Sequence, residues 1–150
     1  MIIEAKEPST PSFSNFELVY RLDFANIHYD QNQRIILIQY ADSTELDEFV
    51  AKQVIKKVIR LLNEGARFVL TDATAKHLIF TDEARQLFKH NRELTRFEAH
   101  AVVVKSLHTR IIINFFARFE ANKVLTKVFN HFEPAMDFIM SLASNKTSTP

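Results

Sequence analysis

The stretch VLTDATAKHLIFTDEARQLF, residues 69–88, decides the fold. Its apolar start, Val69-Leu70-Thr71, is rich in strand formers and ends on Asp72. A short polar turn and a second apolar patch follow, and then Thr81-Asp82-Glu83 opens a run with apolar positions at helical spacing (Ala84, Leu87, Phe88). Thr81 is a good N-cap, and the two acidic residues suit the positive end of a helix. A buried strand handing over to a capped helix is the repeating unit of an α/β sheet.

Outward from this stretch the same alternation recurs. FELVYRL (16–22) alternates, with Phe16, Leu18, Tyr20 and Leu22 on one face, and RIILIQY (34–40) is apolar on both faces. These two are expected to form an antiparallel hairpin, with Ala25–Tyr29 an extension or bulge. Ser43 or Thr44 can cap a long helix whose apolar positions run from Leu46 to Leu62, and Gly65 fits its left-handed end. The helix begun at Thr81 is expected to run to about Arg92. AHAVVVK, LHTRIIINFFARF and KVLTKVF then read as strand, helix and strand. Pro134 suits the first turn of a last helix that turns Ala135, Phe138, Ile139 and Leu142 inward. The order ββαβαβαβα implies a mixed, mostly parallel sheet of about five strands with four helices, in one domain over 16–142. Residues 1–15 and 143–150 read as flexible arms.

Composition excludes several function classes. There is no cysteine, which removes disulfides, cysteine zinc sites and thiol nucleophiles. The one glycine rules out the glycine-rich loops that cradle phosphates. Nineteen basic residues against eighteen acidic give no concentrated positive face for nucleic acid. MIIEAKEPSTPSF lacks the pattern of a signal peptide, and no apolar run reaches the roughly 20 residues of a membrane span. A cytoplasmic protein is expected.

RFVLTDAT with TDEARQLF, AHAVVVKSLHTRIIINFFARF, and KVFNHFEPAMDFIMSL together resemble the STAS-like fold of small single-domain bacterial proteins, the class that includes anti-sigma-factor antagonists. The chain looks most like an uncharacterised STAS-like, or CRAL-TRIO (lipid-transfer) like, branch. In the antagonists an acidic residue ends the central strand, and a serine at the next helix start is phosphorylated. The resemblance places Asp72 at the acidic position and Thr81 near the phosphoacceptor, while Phe80, Glu83 and Ala84 depart from the Asp-Ser-Ser-Gly pattern. It implies a non-enzymatic regulatory or protein-interaction module. The alternative is a binder of a small apolar ligand, for which a cavity of several hundred cubic ångströms is expected.

Parallel sheets gather ligands at the carboxyl ends of their strands. That edge collects Tyr40 and Asp42, then Asp72 and Thr74, then Lys105, Ser106 and His108, then Asn130 and His131; Asp72, Thr74, Lys105, Ser106 and His108, with Thr81 beyond, are the candidate partner or ligand surface. Capping and local pairing, such as Asp72 with Lys105, also account for them. Ser106, His108 and Asp72 lack the glycine-flanked elbow of a nucleophile, so no catalytic group is assigned. None of the six histidines has metal-ligand spacing, so no metal or cofactor is expected. His100, alternating within a buried strand, reads as a satisfied core or interface residue. Ile112, Phe115, Phe116 and Phe119 spread over more than one helix stripe. They read as deep core, as a dimer surface or as a pocket wall, and a homodimer is expected.

Overall fold

The computed structural model describes residues 15–105 and 124–148. Six strands form one sheet in the order β1-β2-β3-β5-β7-β8. They are β1 (Glu17–Arg21), β2 (Ala25–Asp30), β3 (Ile35–Tyr40), β5 (Phe68–Ala73), β7 (Ala99–Val104) and β8 (Leu125–Phe129). A separate parallel pair, β4 (Glu45–Leu46) and β6 (Ile79–Phe80), sits beside it. The helices are α1 (Glu48–Asn63), α2 (Asp82–His90) and α3 (Phe132–Ser148), with a 3-10 turn at Arg92–Arg96. β3, β5, β7 and β8 are parallel, and β1 and β2 are antiparallel additions at one edge.

The mixed, mostly parallel sheet matches the reading from sequence, but the count does not. Six strands in the main sheet replace the expected five, and three of the four expected α-helices stand among the described residues, while the one expected over LHTRIIINFFARF (107–119) lies outside them. The excess strand is β2. Its residues are expected from sequence to be an extension or bulge, but Leu22 N donates to Ala25 O at 2.9 Å and turns the chain back. β2 therefore lies between β1 and β3. The expected single face of β1 also fails, because a bulge between Leu18 and Tyr20 shifts the register. An extra residue reverses which side the following side chains take. Phe16 packs on the α3 side, Tyr20 and Leu22 on the α1 side, and Leu18 is exposed.

The helix ends show why these residues form these elements. Asp47, not Ser43 or Thr44, caps α1, its carboxylate accepting from Val50 N at 2.9 Å. Thr44 instead donates its hydroxyl to Ala41 O at 2.8 Å. At the other end Gly65 has φ 116°, Gly65 N donates to Leu62 O at 3.0 Å, and Ala66 N to Leu61 O at 2.9 Å. This bond pair is the Schellman motif, and its left-handed residue is the chain's one glycine. Thr81 caps α2 as its sequence predicts, accepting from Ala84 N at 3.1 Å.

Strand order fixes the layers. β3, β5 and β7 are added in one direction across the sheet, and right-handed crossovers in one direction place their helices on one face. α1 and α2 accordingly share a face, where Val54, Val58 and Leu61 pack with Ile36, Ile38 and Val69. α3 covers the opposite face, where Ala135, Met136 and Ile139 meet Leu37, Phe68, Leu70 and Ala101.

Candidate functional site

Alternation along β5 separates the strand-end residues from the α1/α2 face. Phe68, Leu70 and Asp72 point to the α3 side, and Val69, Thr71 and Ala73 to the α1/α2 side. Asp72 closes its own turn: one carboxylate oxygen accepts from Thr74 N at 3.0 Å and from the Thr74 hydroxyl at 2.6 Å. The other oxygen is 3.5 Å from Gln39 Nε2, and Gln39 in turn pairs with His28 at 3.0 Å. Lys105 is exposed and forms no ion pair with Asp72. Thr81 is bound elsewhere, at Ala84 N and, through its hydroxyl, Leu46 O at 3.4 Å. The structure thus gives Asp72 and Thr74 one shared turn and sets Thr81 at a helix start without a bond to them. Ser106, His108, Ile112, Phe115, Phe116 and Phe119 lie outside the described residues.

A concave feature of the fold lies on the α1/α2 face. A half-enclosed cavity of about 200 Å³ sits between the sheet and the elements above it. Ile38, Val69 and Val102 form its floor, Ile55 and Val58 of α1 one wall, and Phe80, Phe88, Leu94 and Phe97 another. Short side chains on the sheet, Ala73 and Thr71 among them, leave space where larger ones would meet the helices. Its volume is below the roughly 300–1,000 Å³ of drug-sized sites. It is closer to the roughly 150 Å³ that accepts benzene in an apolar core.

A few polar groups converge on this apolar space. His100 Nε2 and Thr71 Oγ1, on neighbouring strands, are 2.8 Å apart. Burial pushes the His100 ring down to about 4 from its ordinary 6.5, so it is neutral at pH 7. Burial also raises the Tyr40 hydroxyl well above its ordinary 10. Both rings are hemmed in by protein yet keep some accessible surface, because they line the cavity. Arg85 also lines it, with its guanidinium bonded to Phe80 O at 2.9 Å and ion-paired with the Asp82 carboxylate.

The sequence places His100 in a buried strand, and the structure gives one nitrogen of its ring a partner in Thr71, but what the ring faces was not legible. The available signal was modest. Thr71 and His100 are polar residues at inward positions of two adjacent apolar strands, and their alternation with Val69 and Val102 puts them on one face. Among the described residues no group of three or more His, Cys, Asp or Glu side chains could hold a metal ion. Among them, too, no helix is long and apolar enough to cross a membrane.

Residues 29–143 match the family model DUF7793, a domain of unknown function. The chain belongs to the DUF7793 family. Among solved structures it is similar to an uncharacterised protein of the DUF3478 family from Shewanella loihica PV-4, which has a SpoIIAA-like fold. That likeness has a TM-score of 0.52 at 14% identity and covers 83% of this chain and 91% of the other. At such identity it shows the fold alone, and that fold is the STAS-like one expected from the sequence. No curated protein matches the chain.

Proposed function

We propose that this DUF7793 domain is a non-enzymatic binding module that takes a small, mainly apolar ligand into the cavity between the sheet and α1/α2. The carrying observation is the cavity itself: about 200 Å³ of space lined mostly by aliphatic and aromatic side chains, with a few polar groups turned into it. Filling it with a ligand removes apolar surface from water on both partners, at roughly 25 cal/mol per Å² before association costs. The polar groups are poorly suited to catalysis. A general base works best with a pKa near the working pH, and His100 at about 4 is too weakly basic for that role at neutrality.

Isothermal calorimetry with 4-ethyltoluene, a neutral apolar probe of ring size, tests the reading. Saturable one-site binding with a negative heat-capacity change is expected. Val69→Phe from the floor and Val58→Phe from the helix wall each fill the space and are expected to weaken binding at least ~10-fold, about 1.4 kcal/mol. Binding unaffected by either substitution contradicts the reading, as does the absence of saturable heat.

A second reading, a docking surface for another copy of the chain, is favoured by two exposed apolar side chains near Thr81. Phe49, in the first turn of α1, is 64% exposed, and Ile79, in β6, is 57% exposed. Ile79 is paired with Glu45 within the β4–β6 pair, where Leu46 lies beside Phe80, and Phe49 follows Leu46 by three residues. Large apolar side chains grouped on a surface favour association. Native mass spectrometry at micromolar concentration is expected to show a dimer for the unaltered chain and a monomer for the Phe49→Ser/Ile79→Ser double variant. Monomers in both contradict it.

A further inference from the structure

A second hollow, of about 270 Å³, opens beside the cavity and shares Phe88, Leu94 and Val124 with it. The shared side chains are all apolar, so the two spaces meet along an apolar seam. Beyond that seam the lining changes character. Lys89, His90 and Arg92 line the hollow, and among the described residues no carboxylate does. The acidic side chains nearest in sequence are turned to other cations: Glu93 pairs with Arg96 at 2.8 Å, and Glu98 with Arg67 at 2.6 Å. The neutral polar side chains of the hollow are engaged locally. Asn91 Oδ1 accepts from Glu93 N at 2.9 Å, and the Thr95 hydroxyl donates to Arg92 O at 2.6 Å. Lys89 and His90 stand in the last turn of α2, where a cation also offsets the helix dipole. Arg92 opens the 3-10 turn that follows, the end at which a cation gains nothing from backbone dipoles, so the helices do not account for it.

We infer that the ligand is an amphiphilic carboxylate, a short alkanoic or arylalkanoic acid, with its apolar body in the cavity and its carboxylate in the Lys89/Arg92 hollow. This deepens the ligand-binding reading and rests on it. The orientation follows from where charge can be held. A carboxylate moved from water into apolar surroundings is costly unless a cation and hydrogen bonds receive it. The cavity itself is lined mostly by aliphatic and aromatic side chains, and the guanidinium on it, Arg85, is ion-paired with Asp82. The hollow supplies the missing partner at the edge of the same apolar space. The planar guanidinium of Arg92 presents parallel N–H donors that match the two oxygens of a carboxylate, and the Lys89 ammonium adds a point charge of the same sign. An apolar body continuous with the head passes between them along Phe88, Leu94 and Val124. A neutral ligand leaves the basic hollow unused, and a cationic one meets charge of its own sign there.

Calorimetric titration of the full chain with three probes of one tail length tests the inference: octanoate, 1-octanol and octylammonium. At about 50 mM salt octanoate is expected to bind about 10-fold tighter than 1-octanol, and octylammonium at least about 10-fold weaker than octanoate, in line with charge-assisted hydrogen bonds in a partly enclosed site. Raising the salt to about 500 mM is expected to narrow the gap between octanoate and 1-octanol. Arg92→Gln is expected to weaken octanoate at least about 5-fold, toward the affinity of 1-octanol. Lys56→Gln removes the same charge from an exposed position on α1 that lines neither space, and is expected to leave octanoate within about 2-fold. Equal binding of octanoate and 1-octanol overturns the inference and leaves the apolar-ligand reading standing, and so do equal losses from Arg92→Gln and Lys56→Gln. Failure of all three probes while 4-ethyltoluene binds has the same meaning. Failure of 4-ethyltoluene as well overturns that reading and the inference together.

Discussion

Acidification from pH 6.5 to pH 4 destabilises the domain by about 3 kcal/mol through one side chain, His100, and His100→Gln removes that loss. The size follows from the interval between the ordinary value of 6.5 and the buried value of about 4, at about 1.4 kcal/mol per pH unit. The direction follows from proton counting. Between those values the unfolded chain binds a proton at this histidine and the folded chain does not, so folding releases it and lower pH favours unfolding. The contribution is fully present above pH 6.5 and is lost as pH falls toward 4. Protonation would place a charge on the floor of an apolar cavity, where Tyr40 and Arg85 are the other ionisable groups lining the space among the described residues. His28, whose ring is also lowered by burial, adds to the loss in the same direction and is unaffected by the substitution. Glutamine keeps a hydrogen-bonding end near Thr71 without titrating. Denaturant unfolding at pH 7.5 and pH 4.5, compared between the two proteins, reads the effect. Equal losses in both proteins would show that His100 is not held neutral by burial.

Phe68→Ala is expected to cost about 3–5 kcal/mol, the usual range for truncating a buried aromatic side chain. Phe68 is 1% exposed and packs with Leu37, Ala101 and Ile139 on the α3 face. Total stabilities of about 5–15 kcal/mol make this a large fraction of the whole. The same substitution separates the two faces of the sheet. Its neighbour Val69 points to the cavity and Phe68 points away. Below its own melting transition the variant is therefore expected to bind 4-ethyltoluene as the unaltered chain does. A cost under about 1 kcal/mol would contradict the packing described for this face, and a changed affinity would contradict the separation of the faces.

How far the sequence reveals the protein depends on whether a feature is local. The Thr81 cap, the Gly65 helix end, and the alternation of buried strand and helix are each specified within a few neighbouring residues, and each stands in the structure as read. The bulge between Leu18 and Tyr20 is not local, since only the cross-strand partners on β2 reveal the register shift. The two-residue strands β4 and β6 are too short to carry any periodicity. Capping at α1 was misplaced because Ser43, Thr44 and Asp47 are all competent caps, and the choice fell to the residue left after Leu46 joined β6. The cavity is the least legible feature of all. Thr71 and His100 announce polar atoms inside two strands, but an unfilled space is set by where helices distant in sequence come to rest.

The most direct measurement is methyl NMR of the isotopically labelled chain during titration with 4-ethyltoluene. Saturable shifts are predicted at Ile38, Ile55, Val58, Val69 and Val102, which line the cavity, with Leu37, Leu70 and Ile139 on the α3 face unmoved. Shifts confined to the α3 face, or spread evenly over both faces without saturation, would contradict a ligand site between the sheet and α1/α2.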